Sequence, residues 1–380
     1  MSPPQPVRRV LMTTDCVGGV FSYTVTLAQA LAASGLAIDV VTLGPRPSPA
    51  QRASLAAIDA VRVVETDLML EWQDPQGLDI DRARSELAAL AARLGPDVVH
   101  LNGFREACFD WPAPVVVVAH SSVDSWALAC RREADFDTAA WRSYGAAVAA
   151  ALDDADAWVA PTVAFRNLVR RCHRPARDGM VIHNGAALPA AVAARREPVV
   201  LAAGRLWDPA KDIGSLGEAA RALPWPVDVA GPADEVARSD RTALRMLGAL
   251  DHADLQSRMA RAAIFVAPAL YEPFGLAVLE AAGHGCALVL SDIDSFRELW
   301  DGAAIFVPAG DSAALARSLR ELIADPARRT GLQQAARRRA ASYGVAPMAT
   351  AYRRLYDALA ACRGNNSRAA LDRRPAELHA

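Results

Sequence analysis

The chain reads as an α/β protein made of two doubly wound parallel-sheet domains in tandem. Three observations predict this. Short apolar runs alternate with longer stretches of helical period, the alternation breaks near the middle of the chain, and it then restarts. A length of 380 residues exceeds what one ordinary domain needs. Runs that are apolar throughout, such as Val115–Ala119, suit strands buried on both faces of a parallel sheet covered by helices.

Taken in order, Arg9–Met12 reads as a strand, Val20–Ala33 as a helix and Ala37–Leu43 as a second strand. Ile80–Leu94 has helical period, and Asp97–Leu101 and Val115–Ala119 read as buried strands. A helix over Thr138–Leu152, a strand at Ala157–Ala160, a helix from Thr162 and a strand at Gly179–Ile182 follow. The segment Ala187–Pro198 then breaks the pattern with small residues, two prolines and the pair Arg195–Arg196, as a linker does. The second half predicts strands at Pro198–Ala203, Val227–Ala230, Leu244–Leu247, Ile264–Ala267, Ala287–Leu290 and Ala304–Val307. Its helices are Ile213–Arg221, Phe274–Gly283, Ser312–Ala324 and Ala327–Ser342. Pro347 reads as a stop before a last helix, Met348–Cys362, and residues 363–380 lose periodicity and read as a loose tail. The expected domains are therefore 1–190 and 191–347. In such sheets ligands bind beyond the carboxyl ends of the strands, and two facing sheets make the central cleft the expected site.

Composition narrows the function classes. Apolar residues make up 52% and charged residues 22%, enough for large cores. Lys plus Arg (41) nearly balances Asp plus Glu (43), giving a net charge of −2 that argues against nucleic acid as a partner. No apolar run approaches the roughly 18–20 residues of a spanning helix, and Met1–Arg9 lacks the apolar core of a secretory signal. Six scattered cysteines with no C-x-x-C argue against a zinc site and for a reducing, cytoplasmic setting.

Three segments carry candidate chemistry. The turn Thr13–Val20 places Gly18 and Gly19 just before a helix, where backbone N–H groups can face an anion, although it is not G-x-G-x-x-G. The second strand ends in Thr42-Leu43-Gly44, without the acidic residue that a dinucleotide ribose needs, which argues against a dehydrogenase. The segment Ala202–Asp212 carries Arg205 and Lys211 on a loop between a strand end and a helix. Together they could neutralise a diphosphate without a metal; alone they would read as surface charges.

The third segment, Tyr271–Ala281, holds Glu272 before Pro273, which suits a first helical turn. Phe274, Gly275, Leu276 and Ala277 then form an open helix start, and Glu280 follows among apolar neighbours. On one helix the two glutamates stand about 12 Å apart, beyond the roughly 5–9.5 Å of glycosidase carboxylate pairs. They suit two ends of one long ligand. His120, at the end of the Val115–Ala119 strand, suits a ligand contact and a structural role equally.

In order and spacing, these motifs resemble the retaining glycosyltransferases of the GT-B fold, in the large family (glycosyltransferase family 4) that includes sucrose synthases and bacterial phosphatidylinositol mannosyltransferases. The resemblance covers about residues 8–362. It rests on Gly18-Gly19-Val20, His120, Asn184-Gly185, Arg205 with Lys211, and above all Glu272-Pro273-Phe274-Gly275-Leu276 followed by Glu280, the E-x7-E signature. It implies a GT-B fold of two Rossmann-like domains, the first binding the acceptor and the second a nucleotide-diphospho-sugar, with the last helix packing back on the first. By that pattern Gly18 and Gly19 approach the donor diphosphate, Arg205 and Lys211 hold the phosphates, and Glu272 and His120 face the sugar. Asn184 and the segment Phe274–Ala277 complete the donor contacts, and Glu280 takes the ribose. Neither a metal nor another cofactor is implied.

Two departures stand out. Ser121 occupies a position that is often acidic in relatives, and the chain between Gly231 and Leu244 is short, with room for one helical turn. The expected function is hexose transfer to a small-molecule or glycan acceptor. A nucleotide-sugar epimerase or hydrolase, or a non-catalytic binder, would use the same fold. Arg131, Arg132, Arg142 and Trp141 suggest a membrane surface, but Glu133, Asp135 and Asp137 offset them, which favours a soluble acceptor.

Overall fold

The computed structural model describes residues 6–191, 196–232 and 243–364. In the first half the elements are β1 (Arg9–Asp15), α1 (Gly19–Ala33), β2 (Ala37–Leu43), α2 (Pro49–Ala56), β3 (Val61–Glu65), α3 (Ile80–Leu94), β4 (Val98–Leu101), β5 (Val115–Val118), α4 (Val123–Ala129), α5 (Ala139–Asp154), β6 (Ala157–Ala160), α6 (Val163–His173) and β7 (Met180–Val181). The second half has β8 (Glu197–Ala203), α7 (Ile213–Ala220), β9 (Val227–Ala230), β10 (Leu244–Gly248), α8 (His252–Arg261), β11 (Ala262–Ala267), α9 (Leu276–Gly283), β12 (Ala287–Ser291), α10 (Asp294–Trp300), β13 (Ala304–Val307), α11 (Ser312–Ala324), α12 (Pro326–Ala340) and α13 (Val345–Gly364).

The chain forms two compact units. The first holds the described residues up to Gly185, apart from Ala129–Arg131, together with those from Val345 onward; Ala186–Gly344 belongs to the second. The crossings fall at 185/186 and 344/345, where the expected boundaries were 190/191 and 347/348.

The first unit is a seven-stranded sheet in the order β3-β2-β1-β4-β5-β6-β7, with every pairing parallel. Strands β4 and β5 are buried at every position, which is why they read as continuous apolar runs. Helix α1 buries Phe21, Tyr23, Thr24, Leu27, Ala28 and Leu31, between β1 and β2 on one side and α13 on the other. Tyr352, Leu355, Tyr356 and Leu359 of α13 are also buried in this unit.

The second unit is a six-stranded parallel sheet in the order β10-β9-β8-β11-β12-β13. One face packs Leu201, Phe265, Leu288 and Leu290 against α9 and Trp300. The other packs Val200, Val229 and Val289 under α7 and α11. In both sheets the strand order reverses beside the first strand, between β1 and β4 and between β8 and β11. Such switch points open a crevice at the strands' carboxyl ends.

Several expectations need correction. Pro347 does not stop the chain before the last helix. It lies in the first turn of α13, where a missing N–H costs nothing. Pro273 precedes α9 instead of opening it, because Gly275 takes φ +87° and sets the helix start at Leu276. The linker ends before Pro198, since β8 begins at Glu197. Its residues 192–195, the short stretch 233–242 and the tail from 365 lie outside the described residues. Helices α2, α4, α8 and α10 and strand β3 were not expected from the pattern.

Candidate active site

At the switch point of the second unit, the loops after β8 and β11 come together. The backbone N–H of Leu270 donates to the carbonyl of Ala210 at 2.8 Å, and Lys211 Nζ lies 2.6 Å from Glu272 Oε2. These two side chains are only 18% and 21% exposed, so their charges meet in a partly desolvated place.

The chain holds both loops firmly. Asp208, buried, accepts from the Ala210 N–H at 3.0 Å and pairs with Arg205 at 2.8 Å, ordering the turn between the two cations. Arg205 also lies over the Trp207 ring, 5.6 Å from its centroid, and its Nε is buried without a hydrogen-bond partner. Ser295 of α10 donates to the backbone carbonyl of Glu272 at 2.5 Å and fixes that residue from behind. Gly231 sits at φ +145°, and a Cβ there would overlap the Gly204 carbonyl oxygen, so only glycine lets the β9 end approach the β8 loop.

Helix α9 is preceded by Gly275 as its N-cap, with no side-chain cap and no acidic residue in the first turn. Its first N–H groups are therefore available to an acceptor from outside the helix, at the positive end of its dipole. A Cβ on Gly275 would stand 3.1 Å from the Phe296 ring and 3.3 Å from Glu272 Cγ. Phe274 is buried beneath the turn. Glu280 projects from α9, where burial raises its pKa above the usual carboxylate value while His252 acts in the opposite sense. Glu272 lies outside the helix, so the 12 Å separation derived from helical rise does not hold.

In the first unit, Gly18 is the N-cap of α1, also without a side-chain cap or an acidic residue in the first turn, and Gly19 opens the helix. Asp15 accepts from the Val17 N–H at 2.9 Å and shapes the turn before them. The carboxyl ends of β4 and β5 hold a polar cluster. His120 Nε2 is 2.7 Å from Asn102 Oδ1, and His100 Nε2 is 3.2 Å from the same oxygen. Asn102 Nδ2 donates to the Thr13 carbonyl at 2.7 Å and to Thr24 Oγ1 at 3.3 Å. His100 Nδ1 is 2.6 Å from the Tyr356 hydroxyl, and the Tyr23 ring packs edge-on to His120 at 4.6 Å.

Burial pulls the pKa of each histidine from its ordinary 6.5 down to about 3, so both are neutral at physiological pH. Behind the Asn102 turn, buried Glu71 accepts from the N–H groups of Phe104 and Arg105 at 3.0 and 2.9 Å. Burial and neighbouring Glu106 raise its pKa. Asn184 is buried in the first unit with its Oδ1 unpaired, beside the N–H of Gly185, which donates to Met348 Sδ at 3.1 Å.

The structure thus pairs Lys211 with Glu272, sets Arg205 on the same loop as Lys211, and places Glu280 apart on α9. Asp208, Ser295 and Asn102 were not singled out as site residues in the sequence. Asp208 lies inside the Arg205–Lys211 segment, the one signal that could have marked it.

Comparison with known proteins gives two family matches. Residues 17–188 match Glycosyltransferase Family 4, and residues 197–325 match Glycosyl transferases group 1. Glycogen synthase of Mycobacterium tuberculosis is 40% identical over 125 residues, 32% of this chain and 30% of the relative. A phosphatidyl-myo-inositol mannosyltransferase of Mycobacterium leprae is 36% identical over 120 residues, 31% of this chain and 32% of the relative. Each alignment therefore spans under a third of the relative's length. Among solved structures, a sucrose-phosphate synthase from Thermosynechococcus elongatus superposes with a TM-score of 0.75 at 21% identity, over 93% of this chain and 99% of the other. HepE from Anabaena, solved with UDP and glucose, gives 0.74 at 15% identity, over 93% and 100%. These likenesses establish the GT-B fold. Among the described residues no helix is long and apolar enough to cross a membrane.

Proposed function

We propose, for a chain that belongs to the family 4 glycosyltransferases of GT-B fold, that it moves a hexose from a nucleotide-diphospho-sugar to an acceptor hydroxyl, with retention at the anomeric carbon and without a metal. The observation that carries this reading is the Lys211–Glu272 pair at the switch point of the second unit, beside Arg205 on the same loop. In this reading Arg205 and Lys211, balanced by Asp208 and Glu272 in the free protein, turn towards the departing diphosphate beside the start of α9, a task given to a divalent ion in many other transferases.

In this reading the C1–O bond of the donor breaks as negative charge collects on the β-phosphate. The acceptor oxygen bonds to C1 on the face the phosphate leaves, and its proton passes to a phosphate oxygen. Arg205 and Lys211 hold the phosphates, while Glu272 faces the sugar as positive charge develops there. Glu280 takes the ribose hydroxyls, and the amides of Gly275, Leu276 and Ala277, with Phe274 packed beneath, bind sugar and phosphate oxygens. By the same family pattern Gly18, Gly19, His120 and Asn184 are the first unit's donor contacts. The acceptor class is a small molecule or a glycan. The UDP, glucose and UDP-glucose seen in HepE structures support a nucleotide-sugar donor.

The test starts with thermal shift against UDP, GDP and ADP and their sugars, because a bound donor raises stability by RT ln(1 + [L]/Kd). Turnover with the stabilising donor, an acceptor panel and EDTA should continue undiminished, and NMR of the product should show the donor's anomeric configuration. An inverted product overturns retention, and loss of turnover in EDTA overturns metal independence. Rapid epimer formation without acceptor would identify an epimerase instead.

A further inference from the structure

The contacts around Asn102 determine where the protons sit. A backbone carbonyl can only accept, so the Asn102 atom 2.7 Å from the Thr13 carbonyl must be the amide nitrogen. Its Oδ1 is then an acceptor facing both imidazoles, and each must present a protonated Nε2 to it. In neutral His100 the remaining nitrogen, Nδ1, must accept, so the Tyr356 hydroxyl donates to it. Neutral His120 is left with an unprotonated Nδ1, which has no hydrogen-bond partner among the described residues.

We propose that Asn102 is a positioning residue that locks His120 as the Nε2–H tautomer, so that its Nδ1 meets the substrate only as a hydrogen-bond acceptor, and that Tyr356 of α13 anchors this arrangement through His100. The proposal rests on the functional reading for the claim that His120 touches substrate; the tautomer itself does not depend on it. A hydroxyl is the group such a site selects, because it can donate to Nδ1 where an ether or carbonyl oxygen cannot. Asn102 suits the task better than aspartate would. A carboxylate would attract protons to both rings and turn a fixed acceptor into a donor.

The arrangement is rigid by construction. Asn102 is tied at three further points: its own N–H donates to Thr13 Oγ1 at 3.0 Å, and its Nδ2 donates to the Thr13 carbonyl and Thr24 Oγ1. Besides His120, the titratable groups packed around His100 are Tyr23 of α1 and Tyr352 and Tyr356 of α13. Burial raises the pKa of all three phenols, so they stay neutral wherever the protein works.

The experiment is long-range 1H–15N NMR on the full chain labelled at histidine, with His100→Gln and His120→Gln used to assign the two rings. Both should appear as Nε2–H tautomers and stay neutral from pH 5 to 9. A His120 that is Nδ1–H, or that titrates within that range, overturns the proposal. Asn102→Asp, nearly isosteric, should make His120 titrate within that range, whereas unchanged His120 shifts in this variant would also overturn it. Asn102→Asp should lower kcat about tenfold or more, with loss growing as His120 protonates; an unchanged pH profile despite protonation of His120 would leave the lock intact and sink the assignment of His120 to the substrate. Spectra need no substrate, so a wrong tautomer and a wrong functional reading are told apart.

Discussion

Lys211 Nζ lies 2.6 Å from Glu272 Oε2 across the switch point of the second sheet, joining two residues sixty-one positions apart. Each neutralises the other in a place that is mostly shielded from water. Removing one leaves its partner's charge uncompensated, so the two should act as one unit. Lys211→Ala is expected to cut turnover by about 10²–10³, the usual cost of a transition-state donor. In a double-mutant cycle with Glu272→Gln the losses should fall short of additivity by about 1–3 kcal/mol. Additive losses would show that the pair is not functionally coupled.

Glu272 and Glu280 should divide their labour between sugar and nucleotide. Glu280→Gln is expected to weaken free nucleoside diphosphate and raise KM more than it lowers kcat, because it loses a charge-assisted grip on the ribose. Glu272→Gln should depress kcat and leave nucleoside diphosphate affinity nearly unchanged. Isothermal titration beside steady-state kinetics separates the two; equal loss of nucleoside diphosphate binding in both variants refutes the division.

Gly231 has no substitute. Its φ of +145° is strained for any side chain, and a Cβ would overlap the Gly204 carbonyl oxygen. Gly231→Ala should destabilise the protein by about 3 kcal/mol or more, as overpacking and backbone strain add. Chemical denaturation reads this directly. Gly214→Ala, where nothing lies within 4 Å of the new Cβ, serves as the control and should be at least as stable as the parent.

Acid should unfold the first unit through its histidines. His100 binds a proton near pH 6.5 when unfolded but only near 3 when folded, so between those values protons favour the unfolded chain. The stability this neutral ring contributes is complete above about pH 6.5 and is lost as pH falls towards 3, by about 1.4 kcal/mol per pH unit for one fully buried ring. Glu71 acts oppositely: its raised pKa means that stability is lost as pH rises out of the usual carboxylate range. Below that range Glu71 is protonated in both states and no longer opposes the histidine, while carboxylates held low by partners, such as Asp74, contribute equally to parent and variant. Unfolding free energy measured from pH 3.5 to 4.5 should therefore rise less steeply in His100→Gln than in the parent; parallel slopes would contradict the assigned burial.

Local pattern and remote contact explain what could be read in advance. Ala157–Ala160, Val227–Ala230 and Ser312–Ala324 were exact, because strands buried on both faces and amphipathic helices write their period into the chain. Strand β3 escaped because it is an edge strand, half-exposed and carrying Arg62 and Glu65. Helix α8 escaped because Met259 is its only fully buried residue, too little to set a period. Lys211 and Glu272 were recognisable from motif spacing, but their pairing was not. The contacts of Asn102 were not legible, since they depend on Thr13, eighty-nine positions away, and on His120. The likeness of Glu272 to a helical residue misled, because a single positive φ at Gly275 overrides the pattern around it.

The placement of α13 has a consequence for how the protein is made. Residues Ala186–Gly344 form the second unit from one uninterrupted stretch, whereas the first unit needs Val345–Gly364 as well as the residues before Gly185. Tyr352 and Tyr356 are wholly buried there, so the first core has a vacant side until that helix arrives. On the ribosome, then, the half translated first is completed last. The later half can settle while the earlier one waits with its Tyr23–His100 surface uncovered, and a release of the chain short of residue 345 would strand it in that condition.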